Sequence, residues 1–351
     1  MQKRIRIVSI GIILIVLFIS ITLNNNTNNK HTFKKDGILY ALSLDGKSIT
    51  SFPSKGLYKA NVSCDIKFET ITKTYFNDYI TGLAGTTQGT EQVVNENGYR
   101  YEGKNPNNYV WFNNEYWRII GVFDSASHGQ SGKNLVKIIR ADVLDGLAWH
   151  KSNTNDWTAA SLNSLLNGAY YNAQDGTSSG YCYGYSTTAT ANCDYTKKGI
   201  QSGYRSMIAE VTWYLGGYSS ASATTESFYG YERGTTVYSG RPTTTTGYIG
   251  LMYPSDYGYS VLSSSCARTT NLGSYNTATC AGQSWLYGKG YEWTITPYSS
   301  YSGGVFNLND NGFLYNGANT GYGGRPVLYL DASVYKIDGE GTLDKPYIIG
   351  M

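Results

Sequence analysis

Charge is scarce in this 351-residue chain: Asp, Glu, Lys and Arg together make up 15% of it, well below the usual quarter. The polar surface must therefore be built from neutral groups, chiefly Gly, Ser, Thr, Asn and Tyr. The net charge is +3 with no basic stripe. Phosphate recognition needs clustered Lys and Arg, so no nucleic-acid partner is expected. Histidine is limited to His31, His128 and His150, and no Gly-x-Ser-x-Gly string occurs. A serine or cysteine hydrolase needs a base, usually His, beside its nucleophile, and no such constellation is legible. Cys-x-x-Cys spacing is also missing, which removes the common zinc frameworks. The nearest calcium-like string, Asn307–Gly312, lacks the acidic ligands and the closing Glu and reads as a hairpin turn. The acid couples Asp142 with Asp145 and Glu226 with Glu232 are close enough in sequence for glycosidase chemistry, but they read as exposed loop acids. No catalytic residue, metal or cofactor is expected.

What the chain does have is tyrosine, in 34 copies, and a hydrophobic content of 41%, enough for a sizeable core. It also has one apolar run, Ile7–Leu23, preceded by Lys3, Arg4 and Arg6. As a helix this run would span about 25 Å, slightly short of a bilayer core but tolerable. The cations before it stay inside, so the rest is exported. No Ala-x-Ala site follows, so the run reads as an uncleaved signal anchor, with a cleaved signal as the alternative. The five cysteines suit that compartment. Cys182 with Cys193, and Cys266 with Cys280, each bracket a polar loop, and each couple is expected to form a disulfide. Cys64 is left over, either as a buried thiol or in a bond to another chain.

Along the chain the pattern divides into an anchor over 1–24, a polar linker over 25–35, a stalk or leading subdomain over 36–97, and a main domain over 98–351. In the leading part, Ile38–Leu44 and Tyr75–Leu83 are short candidate elements. In the main domain, Tyr109–Phe112 and Tyr116–Phe123 are aromatic and β-branched runs joined at Asn113-Asn114, which predicts a hairpin. Leu135–Ala141 predicts a third strand. Leu162, Leu165, Leu166 and Tyr170 then mark one face of a helix, with Thr158 as its cap and Gly168 as its stop. Further strands are predicted at Val211–Leu215, Tyr248–Met252, Glu292–Thr296, Gly304–Leu308, Phe313–Tyr315 and Pro326–Leu330. Trp111, Trp117, Trp213, Trp285 and Trp293 lie in or near these runs and read as core. Arg325 reads as structural, capping a carbonyl or pairing an acid where the last strand begins. The fold class is α+β, with short antiparallel strands, one or two helices and long disulfide-stapled loops.

Several blocks resemble a family of exported proteins of low-GC, often gut-dwelling, bacteria whose activity is unassigned. They are Asn107–Phe112, Tyr116–Val122, Leu162–Gly168, Thr212–Gly217 and Ile249–Gly258, then Glu292-Trp293-Thr294-Ile295, Gly324-Arg325-Pro326-Val327-Leu328-Tyr329-Leu330, and Gly341-Thr342 with Pro346-Tyr347. The resemblance runs from about Tyr99 to Ile349. That family is similar to C-type-lectin-like domains, related in shape to formylglycine-generating enzymes, which implies such a fold and an exported location. The chain departs from both better-known groups. The lectin strings Glu-Pro-Asn, Gln-Pro-Asp and Trp-Asn-Asp are missing, and no cysteine matches the enzymes' active site.

The remaining signal is a crowd of aromatic and amide side chains before the closing strand: Tyr298, Tyr301, Asn307, Asn309, Tyr315, Asn316, Asn319 and Tyr322. Such groups suit recognition of protein or glycan surfaces, although tyrosine is abundant throughout. The expectation is a membrane-anchored, extracellular binding or adhesion module whose partner is a host or bacterial surface protein or glycan. A subunit of a pilus-like assembly is the first alternative, although the leader lacks a prepilin pattern; a cell-surface hydrolase is the second.

Overall fold

Asn113 and Asn114 both take left-handed backbone angles, φ 56° and 61°, as a two-residue type I′ turn requires. They join Tyr109–Phe112 to Glu115–Phe123 in an antiparallel hairpin. Leu135–Arg140 pairs on the other side of Glu115–Phe123. These inner strands are buried almost throughout, which is why they read as apolar runs and not as alternating patterns. In the computed structural model, the structure describes residues 73–351 apart from 86–92, 276–279, 289 and 310–311. It also describes, as backbone alone, residues 23–24, 30–31, 43–44 and 47–48. Residues 1–22, with most of the apolar run, and 49–72, with Cys64, lie outside the described residues, as does most of the linker. Among the described residues no helix is long and apolar enough to cross a membrane.

Lys73–Met351 forms one compact unit, a mixed α+β fold dominated by strands. Its larger sheet has ten strands. The main path runs Ile249–Gly250, Val327–Tyr329, Leu135–Arg140, Glu115–Phe123, Tyr109–Phe112, Tyr347–Gly350, Tyr335–Asp338 and Thr74–Tyr75. Only the Tyr347–Gly350 pairing with Tyr109–Phe112 is parallel. Tyr99–Tyr101 also pairs with Glu115–Phe123, and Val93–Asn95 with Tyr99–Tyr101. A Cβ at Gly121 would collide with the Tyr99 carbonyl oxygen, so that close approach requires glycine. The smaller sheet orders Leu144–Ala148, Gly321–Gly324, Glu292–Pro297, Gly304–Asn309 and Gly312–Gly317.

Both expected disulfides are formed, Cys182–Cys193 and Cys266–Cys280. Arg268, inside the second loop, also pairs with Glu96 at 2.7 Å and Glu102 at 2.8 Å. Arg325 pairs with the buried Glu292 and donates to the Leu286 carbonyl at 2.9 Å, the structural role its position predicts. Trp117, Trp213, Trp285 and Trp293 are buried, and Trp111 is half-buried.

Three expectations need correction. Among the described residues five short α-helices are present where one or two were expected: Phe76–Thr81, Ser125–His128, Ser161–Leu165, Thr225–Glu232 and Pro254–Ser260. The first falls where Tyr75–Leu83 gave an undefined element. Thr158 caps no helix; it sits in a 3-10 turn, Trp157–Ala159, capped by Asp156. Ser161–Leu165 then continues through Gly168 as a wider π turn to Tyr170. Its predicted face is nonetheless right, since Leu162, Leu165, Leu166 and Tyr170 are all buried.

Candidate functional site

Two regions concentrate polar chemistry. The first is a ledge beside the smaller sheet. The Tyr298 and Tyr315 rings stack at 4.0 Å between centroids. The backbone of Tyr218 bridges to that of Tyr298, and Tyr218 stacks on Tyr231 at 4.1 Å. The two stacked pairs are thus joined through one backbone bridge. Tyr301 is 48% exposed and Tyr315 45%. Asn155, itself buried, fixes the turn beneath: its amide donates to the carbonyls of Tyr298, Tyr301 and Gly304 at 2.8–3.1 Å. Asn153 donates to the Tyr301 hydroxyl at 3.3 Å.

The sequence-predicted residues divide accordingly. Tyr298, Tyr301 and Tyr315 come together, with Asn316 half-buried on the same hairpin. Asn307 and Asn309 are buried and offer nothing to solvent. Tyr322 belongs to another cluster, against Trp293 at 4.7 Å and Tyr291 at 4.9 Å. Asn319 is half-buried and accepts from the Ser186 main chain at 2.7 Å through its carbonyl. Sequence reading passed over Tyr218, Tyr231, Asn153 and Asn155, because they come from distant segments.

The second region is a buried ionic junction where the Leu135–Arg140 strand meets the Pro254–Ser260 helix. Every residue of that helix is buried. Pro254 at its first turn fixes the helical entry, and the Asp256 carboxylate accepts the Tyr253 main-chain N–H at 2.9 Å, half of a capping box. The same carboxylate pairs with Arg100 at 3.0 Å and Lys137 at 2.5 Å, with all three side chains 1% exposed. Burial alone would raise the Asp256 carboxyl, but Lys137 and Arg100 hold it below its ordinary value. Burial pulls the Lys137 ammonium down to about 8, against the opposing attraction of Asp256. Glu232 lies at the end of the Thr225–Glu232 helix, accepting from the Ser255 N–H at 2.8 Å, the Ser255 hydroxyl at 2.5 Å and Arg233 at 3.1 Å. Burial lifts its carboxyl to about 7. The reading of Glu232 as an exposed loop acid is thus overturned. Glu226 is exposed, so the two are not a matched pair.

His128 donates from Nε2 to the Phe123 carbonyl and accepts the Gln130 N–H at Nδ1. His150 accepts the Ser152 N–H at Nδ1. Burial lowers both imidazoles below their ordinary value, so both stay neutral near pH 7. Asp142 is exposed. Among the described residues no three His, Cys, Asp or Glu side chains gather as metal ligands. A shallow depression of about 170 Å³ lies between Asn97, Gly98, Phe123, Asp124 and Tyr229, below the usual size of a small-molecule site. Comparison with known proteins returned no matching family model, no matching curated protein and no matching solved structure.

Proposed function

We propose that this chain is an extracytoplasmic binding module, held at the membrane by its N-terminal apolar run and folded as a C-type-lectin-like domain. It takes a neutral glycan or polypeptide surface on the tyrosine ledge. The observation that carries this reading is the presence of two stacked tyrosine pairs, Tyr231–Tyr218 and Tyr298–Tyr315, with the exposed Tyr301 beside them. Stacked rings are rigid, so presenting them to a ligand costs little side-chain entropy, while nearby amides supply directional hydrogen bonds. The low charge of the chain matches a neutral ligand. The two disulfides support export, since such bonds persist in oxidising compartments.

The test is binding of the full chain to an array of neutral glycans and to surface-protein extracts. Tyr298→Ala with Tyr315→Ala should weaken the captured interaction tenfold or more without changing the fold, as hot-spot aromatics do. Ordered multimers with no ligand, or unchanged binding in the double variant, would replace this reading with the assembly alternative.

A further inference from the structure

Independently of any ligand, we propose that Lys137 and Asp256 become joined by an amide cross-link between the lysine Nζ and the aspartate Cγ. The two residues are 119 positions apart, yet their reacting groups touch at 2.5 Å inside the core. Nothing else brings them so close by chance of flexibility: both side chains are 1% exposed and both are fixed by the backbone. Lys137 stands at a register shift, where Gly121 is opposite Lys137 but Ile119 is opposite Ile138. Asp256 is set by its helix and by the Tyr253 N–H.

The surroundings favour the bond over the ion pair. Lys137 is enclosed by rings, with Tyr253 at 4.4 Å, Tyr329 at 5.6 Å, Phe123 at 5.7 Å and Trp213 at 5.8 Å from Nζ. Two ions in such a site carry a desolvation penalty that attraction repays only in part; a neutral amide hydrogen-bonded to Arg100 carries a smaller one. Fixed contact also replaces a bimolecular encounter with an intramolecular one. The depressed lysine leaves a fraction of free amine near neutral pH, the form that attacks.

The atoms balance without any added reagent. Nζ attacks Cγ, and the C–Oδ2 bond breaks. One ammonium proton passes along the Nζ–Oδ2 contact before the attack, so that free amine faces neutral acid; a second follows after it, Oδ2 departs as water, and the third proton stays on the amide nitrogen. The negative charge of the tetrahedral stage falls on Oδ1, and Arg100 Nη1 already donates to that atom at 3.0 Å. Arg100 thereby serves as the oxyanion donor and afterwards keeps its bond to the amide oxygen.

The experiment is the intact mass of the full chain in detergent, held folded at pH 8, then reduced and denatured. A mass one water lighter than the sequence requires, with a branched proteolytic peptide joining positions 137 and 256, is the expected result. The calculated mass with no branched peptide overturns the proposal. Lys137→Arg keeps the charge but not the nucleophile, and should show the full calculated mass. If that variant is also one water lighter, the loss arises elsewhere and the proposal falls.

Discussion

The ionic junction and the tyrosine ledge use the same side chain in opposite ways. Around Arg100, Lys137 and Asp256, the rings of Tyr253, Tyr259 and Tyr329 turn inward and insulate charge. Along the ledge, Tyr298, Tyr301 and Tyr315 leave ring surface to solvent. Several of the scarce charges lie inside: Arg100, Glu102, Lys137, Glu232, Asp256, Glu292 and Arg325 are all buried. The interior is therefore unusually ionic for a core. The difference separates what holds the fold from what is free to recognise.

Asp256→Ala breaks the comparison most severely if it is sound. It strands two buried cations, and unfolding by denaturant at pH 7 should show a loss of about 3–5 kcal/mol. A comparably large loss from any ledge tyrosine would erase the distinction. Glu232 sharpens it through pH. Its carboxyl is near 4.5 unfolded and about 7 folded, so the protonated folded state gains stability below pH 4.5. That contribution fades as pH rises through 7, with a span of roughly 3 kcal/mol. The difference in urea midpoint between wild type and Glu232→Gln, followed from pH 4.5 to 7.5, should move in that sense; a flat difference counts against it.

The loops come next in size. Cys182→Ser with Cys193→Ser should cost about 3 kcal/mol in the chain-entropy account, read as a lower melting midpoint under oxidising conditions. The matching change at Cys266 and Cys280 should cost less, because Arg268 still ties that loop to Glu96 and Glu102. The smallest effect is at the ledge. Tyr315→Ala removes one stacked, largely exposed ring and should change stability by no more than about 1.5 kcal/mol, while reducing ligand capture.

These contrasts also explain what the sequence disclosed. The Asn113-Asn114 hairpin, the apolar strand at 135–140 and both disulfides depend on neighbours in sequence, and all were legible. The Pro254–Ser260 helix was not, because it is buried on every side and so carries no apolar stripe to mark its period. The ionic junction was invisible for another reason. Its members are single residues at 100, 137, 232 and 256, each bland in its own context and meaningful only once the strands have paired. Half of the ledge escaped for the same reason, with Tyr218 and Tyr231 reaching Tyr298 only through a backbone bridge. Asn307 and Asn309 show the reverse error, where composition suggested a surface and the strand turned both inward.

The parallel strand Tyr347–Gly350 lies inside the larger sheet, between Tyr109–Phe112 and Tyr335–Asp338. Its Tyr347 ring packs on Phe76 and Tyr79, residues made more than two hundred and fifty positions earlier. A nascent chain emerging from a ribosome thus lacks an interior rung of its main sheet until Tyr347–Gly350 has appeared. Such long-range closure is slow. The half-made domain must be kept from sticking through its open gap, and Tyr347–Gly350 acts as the key that locks the sheet.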